Sequence, residues 1–311
     1  MTHPKVTVVG AGQVGATAAE LLLLHNLADV VMIDVAEGLP QGKALDLMHM
    51  RSVEGFGPCV RGTNDYAETA GSDVVVVTAG LPRRPGMTRD DLLASNSAIV
   101  RSVIASAVAA SPDAVFICVT NPLDVMTYLA WKESGLCAEK VFGMGGVLDS
   151  ARFAYAIAEK TGADIADISA LAMGAHGDAM CVLPRLSTVK GRPLTELLPL
   201  GEVEALVQRT VLGGAEVVGL LKAGSAFYAP AASVVSMVRA VLEDSGQTLP
   251  GCVLLQGEYG VSDVFLSVPA RFGRSGFLGV TELALDDAET RALQDSAATV
   301  AASLDALGLR G

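Results

Sequence analysis

The chain has 311 residues, of which 51% are apolar and 18% charged, and it carries a net charge of −12. That apolar share excludes a disordered acidic polymer, and the length allows about two domains, each with its own core. The acidic balance argues against nucleic acid and anionic membrane surfaces as partners.

The first strand-like run, "KVTVVG", begins at Lys5. So early a start leaves no room for the charged, apolar and cleavage regions of a signal peptide. From there "KVTVVG", "DVVMID", "DVVVVTAG" and "AVFICV" alternate with helical patterns over 13–26, 41–54, 88–110 and 123–133, and "CVRGTND" at 59–65 adds a short strand. Strands apolar on both faces, each followed by a helix, predict a doubly wound parallel sheet of the Rossmann type with five or six strands. No apolar stretch is read as long enough to span a bilayer.

After "KVFGMGG" at 140–146 the rhythm changes. A helix near 147–161 is followed by "ISALAMGAHGD", a helix over 203–222, closely spaced strands in "GCVLLQGEYGVSDVFLSVPA" and a closing helix at 286–307. The expected organisation is α/β, with a Rossmann domain over 1–145 and an α+β domain over 146–311. Cysteines 59, 118, 137, 181 and 252 are odd in number and form no C-x-x-C pair. They read as small core residues of a reduced, cytoplasmic protein, and imply neither a metal site nor disulfides.

"VVGAGQVG" places Gly10, Gly12 and Gly15 in G-x-G-x-x-G spacing between a strand and a helix. Alone, such a motif is no more than a tight turn. In this context Gly10 permits the turn, Gly12 lets a pyrophosphate approach, Gly15 allows close packing, and the amides of Gln13 and Val14 point at the phosphates. The second strand ends in Asp34, 19 residues after Gly15. A carboxylate there accepts hydrogen bonds from an adenosine ribose and repels a 2′-phosphate, favouring NAD over NADP; its alternative is a solvated acid at a strand end.

Three segments then bring polar groups to strand or helix ends: "VTNPLD", "LDSARF" and "GAHGD". His176 lies between Ala175 and Gly177 in a chain with four histidines, and taken alone it is as readily structural as catalytic. With Asp149 as partner its chemistry becomes specific. A carboxylate bonded to one ring nitrogen fixes the tautomer, favours the charged ring and aims the other nitrogen at substrate. Arg152, three residues after Asp149, falls on nearly the same helix face, and its planar fork suits capture of a carboxylate. The loop "TAGLPRRPGMTRDD" adds Arg83, Arg84 and Arg89 in a chain with 22 basic residues.

Taken in order, "GAGQVG", "TAGLPRRPGMTRDDLL", "TNPLD", "LDSARF" and "GAHGD" resemble the lactate and malate dehydrogenases, in particular the lactate-dehydrogenase-like bacterial malate dehydrogenases. The likeness runs from about residue 5 to 240 and extends more weakly to the C-terminus. It implies an NAD-dependent oxidoreductase whose first domain binds the cofactor and whose second is catalytic, with a place in the tricarboxylic acid cycle. His176 would carry the proton, with Asp149 orienting it. Arg152 would bind the C1 carboxylate, Arg89 would polarise the keto oxygen, and Asn121 would hold that oxygen and border the nicotinamide with Val119. Asn96 would also meet the cofactor. Segment 80–91 would be a lid.

The family position that separates monoacids from dicarboxylates falls on Arg83, which implies malate or oxaloacetate as substrate, with Arg84 a solvated neighbour. Small Ala226, where lactate dehydrogenases carry a bulkier Thr, implies room for the larger acid. A lactate or other 2-hydroxyacid dehydrogenase and a non-catalytic NAD-binding protein are the alternatives. The resemblance further implies a homotetramer or homodimer, for which helix 203–222 offers either an interface or a core face.

Overall fold

The computed structural model describes residues 3–81 and 89–310, with the side chains of residues 89 and 90 outside that description. In chain order the principal elements begin with β1 (Lys5–Val9), α1 (Gln13–Leu24), β2 (Asp29–Ile33), α2 (Leu39–Glu54), β3 (Val60–Thr63), β4 (Val74–Val77) and α3 (Arg89–Ala110). Next come β5 (Val115–Cys118), α4 (Leu123–Ser134), β6 (Val141–Gly143), α5 (Gly146–Thr161), β7 (Ile168–Ser169), β8 (Ala172–Gly174) and β9 (Met180–Val182). They are followed by β10 (Thr188–Val189), β11 (Arg192–Pro193), α6 (Leu194–Leu197), α7 (Leu200–Leu221) and α8 (Tyr228–Leu242). The chain closes with β12 (Gln247–Gln256), β13 (Ser262–Gly273), β14 (Gly276–Val280) and α9 (Asp287–Ala306).

The chain packs as two units. One comprises Met1–Met144, Phe227–Gln247 and Phe272–Leu278; the other comprises Gly145–Ala226, Thr248–Arg271 and Gly279–Gly311. The first unit's long continuous run ends at Met144, and two later segments return to it. The sequence did not announce that α8 returns to the first unit, where it packs on α1.

In the first unit the strands run in the order β3-β2-β1-β4-β5-β6, all parallel. This is the doubly wound order, with its reversal between β1 and β4. The central strands carry apolar residues on both faces because helices cover both: all four valines of β4 are buried, as are Phe116 and Ile117 of β5. A dinucleotide-binding crevice belongs at the carboxyl ends of such strands, on either side of the switch point.

The reading that no apolar stretch could span a bilayer is corrected by α3, whose residues Asp91–Ala110 are long and apolar enough by length and composition alone. The physical reason is a core face of Val100, Val103, Ile104 and Ala107 interleaved mainly with small Ala and Ser residues, with Arg101 as the one charge among them. In the first unit this helix packs against α4.

The second unit is α+β. Strands β12, β13, β8 and β9 lie side by side in that order, with β13–β8 and β8–β9 antiparallel, and β7, β10 and β11 form a small antiparallel sheet. Its core joins Phe153 and Ile157 of α5, Val189 and Leu194, and Val203 and Leu206 of α7. Cys118, Cys181 and Cys252 are buried, in line with small core residues, whereas Cys59 and Cys137 are exposed.

Candidate active site

The glycine turn is built by close approach. Gly10 has φ +102°, and a Cβ there would lie 2.7 Å from the Thr78 hydroxyl; a Cβ on Gly15 would lie 1.9 Å from the Gly10 carbonyl oxygen. Only glycine meets both demands, so β1, α1 and the end of β4 sit in contact at the switch point. Gly12 is different: it is exposed, and a Cβ there would meet nothing within 4 Å. α1 opens at Gln13 with no side-chain cap, so the amides of its first turn are left for an anion. An open glycine beside uncapped amides fits a pyrophosphate.

Asp34 follows β2 directly and accepts hydrogen bonds from two backbone amides, Ala11 N–H at 2.7 Å on Oδ2 and Ala36 N–H at 2.9 Å on Oδ1. Each oxygen keeps a second lone pair, which a ribose hydroxyl can use. Its charge, after burial, is the second cause that pushes the Tyr66 phenol up to about 12. Lys43 of α2, which sequence reasoning missed, donates to Ala11 O at 2.8 Å and Gly12 O at 3.3 Å. The Ala11 peptide is therefore gripped from both sides. The only signal was a basic residue in an otherwise weakly amphipathic helix.

At the ends of β4 and β5, Asn96 is 1% exposed. Its side-chain oxygen accepts from Leu81 N–H at 2.8 Å, and its amide nitrogen donates to Leu81 O and to Asn121 O at 2.7 Å. Asn96 thus ties the start of the 80–91 segment to Asn121 and spends both amide protons doing so. Val119 is half-buried at the end of β5, and Asn121 is exposed beyond it. Arg83 and Arg84 lie outside the described residues. Arg89 opens α3, and its side chain also lies outside the description.

In the second unit the N-terminus of α5 is docked tightly. Ser267 Oγ accepts from Gly146 N–H at 3.0 Å, and Ser150 Oγ accepts from Ala172 N–H at 2.9 Å. A Cβ on Gly146 would lie 2.8 Å from Pro250 O, so glycine sets how closely the helix approaches. This fixes Asp149, in the first turn, beside the loop that follows β8. Asp149 is 2% exposed and uses its two oxygens on different partners: Oδ2 pairs with His176 Nδ1 at 2.8 Å, and Oδ1 with Arg152 Nη1 at 3.2 Å. The structure thus brings together the three residues that the sequence pointed to.

Two glycines of α7 complete this arrangement. Cβ atoms on Gly213 and Gly214 would lie 3.3 Å from Arg152 Cδ and 3.5 Å from Arg152 Nη2. The guanidinium rests against bare helix backbone, and its position depends on that bareness. A glycine pair inside a helix costs stability, and that cost was the signal available in "VLGGAE".

Chemically, a buried carboxylate that bonds one ring nitrogen of a histidine orients it for proton transfer through the other, and an adjacent guanidinium suits an anionic substrate. Residues 4–143 match the family model described as lactate/malate dehydrogenase, NAD binding domain, and residues 146–307 match the one described as lactate/malate dehydrogenase, alpha/beta C-terminal domain. The chain is 53% identical over 301 residues to a malate dehydrogenase of Synechocystis sp., covering 97% of this chain and 93% of that one. Among solved structures it superimposes on the malate dehydrogenase of Cryptosporidium parvum with a TM-score of 0.96 at 42% identity, covering 99% of each chain. The lactate dehydrogenase of Cryptosporidium parvum, complexed with lactic acid and nicotinamide adenine dinucleotide, matches with a TM-score of 0.96 at 40% identity over 100% of both chains.

Proposed function

The chain belongs to the lactate/malate dehydrogenase family, and from that premise we propose that it is an NAD-dependent malate dehydrogenase interconverting (S)-malate and oxaloacetate. When bound, NAD accepts or delivers the hydride at the substrate's C2. The remaining work belongs to this chain's residues. His176 exchanges the proton at Nε2, giving it to the keto oxygen in reduction and taking it from the hydroxyl in oxidation. Asp149 holds Nδ1 and favours the charged ring that reduction needs. Arg152 takes the C1 carboxylate.

Arg89 and Asn121 hold the C2 oxygen, and Val119 borders the nicotinamide. Arg83 takes the second carboxylate. Gly10, Gly12, Gln13, Val14, Gly15 and Asp34 bind the cofactor, and Asn96 acts there by holding Leu81 and Asn121.

The observation that carries this reading is the shared carboxylate of Asp149, one oxygen on His176 and the other on Arg152. A protein that only binds NAD has no use for an oriented histidine beside a carboxylate-binding arginine. Arg83, in the position that marks dicarboxylate specificity in the family, and small Ala226 favour malate over lactate. The enzyme works in the cytoplasm, in the tricarboxylic acid cycle. It assembles as a homodimer or homotetramer, a reading supported by the exposed Leu45 and Val53 of α2 and the exposed Leu212 and Leu220 of α7. Light scattering measures that state directly.

The experiment for the acid–base role is His176→Asn. The variant keeps a hydrogen-bonding side chain but cannot carry the proton, so turnover with oxaloacetate falls by roughly 10²–10⁴-fold. NADH affinity, measured by fluorescence, survives. Near wild-type turnover would remove His176 from the mechanism.

A further inference from the structure

The loop that carries His176 leaves β8 through Gly174 at φ +84° and turns again at Gly177, φ +106°. It enters β9 at Met180, whose N–H donates to Gly177 O at 3.0 Å. Two left-handed glycines within four residues make the segment cheap to deform. The His176 to Asp149 bond holds the ring, yet it cannot by itself fix the backbone from which that ring projects.

The closing helix supplies what is missing. Ser296, 3% exposed near the middle of α9, accepts from Ala175 N–H at 2.8 Å and donates to Ala179 O at 2.6 Å. One hydroxyl thereby joins the residue before His176 to a residue three positions after it. A Cβ on Gly174 would lie 2.8 Å from this hydroxyl, so the close approach depends on glycine there. The helix is itself anchored: Asp286 and Glu289 form a capping box at its start, and Arg185 donates to both carboxylate oxygens of Glu289.

We propose that Ser296 is a positioning residue for the acid–base step, a clamp that sets the backbone of the His176 loop from a helix more than 100 residues away in sequence. The inference rests on the reading of His176 as the proton carrier. The bonds of Ser296 run to the loop backbone on either side of His176. It acts by keeping Ala175 and Ala179 at a fixed separation, so that the ring meets Asp149 and the substrate oxygen at once. Catalytic geometry tolerates little slack: a displacement of about 1 Å is enough to cost some 10²-fold.

The test compares wild type, Ser296→Ala and Leu304→Ala, the last removing a fully buried side chain from the same helix without touching the clamp. Measured quantities are kcat and KM for oxaloacetate across pH, NADH affinity by fluorescence, melting temperature, and hydrogen exchange at the Ala175 amide. Ser296→Ala is expected to lose roughly 10- to 100-fold in kcat, with NADH affinity unchanged and faster exchange at Ala175. The alkaline limb of its reduction profile moves to lower pH, because a ring less firmly held on Asp149 is less readily charged.

Leu304→Ala is expected to melt earlier while keeping its kcat per folded molecule. Ser296→Cys, near in size but poorer at both bonds, gives the same reading if the alanine variant does not fold. Wild-type kcat and pH profile in Ser296→Ala, or an equal kcat loss in Leu304→Ala, would overturn the proposal. The His176→Asn variant separates the two claims: an active His176→Asn removes the proton carrier itself, whereas an inactive His176→Asn beside a normal Ser296→Ala removes only the clamp.

Discussion

Replacing Asp149 with Asn changes one atom, and its consequence can be worked from the bonds that the carboxylate makes. In the native protein Oδ2 serves His176 and Oδ1 serves Arg152, at 2.8 and 3.2 Å, in a site where Asp149 is 2% exposed. An amide offers one acceptor and one donor group in place of two acceptors. Whichever way it turns, one partner faces an N–H.

If the oxygen stays on Arg152, the amide donates to His176 Nδ1 and forces the proton of the neutral ring onto Nε2, where malate oxidation needs an acceptor. If the oxygen turns to His176, Arg152 faces a donor and loses its counter-charge. A hydrogen bond to a charged group contributes about 1.5–3 kcal/mol, or one to two decades in rate for the imidazolium alone. Reduction should therefore fall by roughly 10²-fold, and malate oxidation, which also suffers the wrong tautomer, by roughly 10³–10⁴-fold. Steady-state kcat/KM in both directions, with NADH affinity as control, decides the matter. Asp149→Asn within threefold of wild type in both directions would refute the reasoning.

Asp34→Ala removes both the charge that repels a 2′-phosphate and the acceptor for Ala11 and Ala36. NADH affinity should drop and the preference over NADPH should narrow, as kcat/KM for the two cofactors shows. Gly214→Val places methyl groups against the Arg152 guanidinium, since even a Cβ would lie 3.5 Å from Nη2. KM for oxaloacetate should rise by about tenfold or more while NADH binding holds, which fluorescence titration beside steady-state kinetics can verify. Burial pushes the thiols of Cys118 up to about 12 and Cys181 up to about 11. At pH 8 an alkylating reagent should therefore label the exposed Cys59 and Cys137 quickly and leave both buried thiols intact, as read by mass spectrometry of the native protein.

The first unit was legible because its signals are local. A β-branched run, a glycine turn and an acid at the next strand end sit within about thirty residues, and the all-valine β4 could only be a strand covered on both faces. Asp149 and Arg152 were legible because residues three apart on one helix share a face, and the structure joins both with His176 through one carboxylate. Ser296 and Lys43 were not, since each acts through backbone atoms distant in sequence: a serine on the buried face of α9 and a lysine in α2 look ordinary until their partners are known. α8 illustrates the same limit. Its apolar face of Val234, Val235, Val238 and Val241 predicts burial, but the pattern does not say that it packs on α1. The apolar length of α3 went unread because small residues and the single Arg101 dilute its hydropathy by eye, although few charges interrupt it.

The central claim is dicarboxylate chemistry, and it turns on Arg83. The most direct measurement is kcat/KM for NADH-dependent reduction of oxaloacetate and of pyruvate, side by side, in wild type and Arg83→Gln. Loss of a desolvated arginine–carboxylate pair costs about 2–5 kcal/mol, or some two to three orders of magnitude. Wild type should therefore prefer oxaloacetate by at least that factor, and the variant should lose or reverse the preference. A wild-type enzyme that reduces pyruvate as well as or better than oxaloacetate would contradict the account and leave a lactate dehydrogenase in its place.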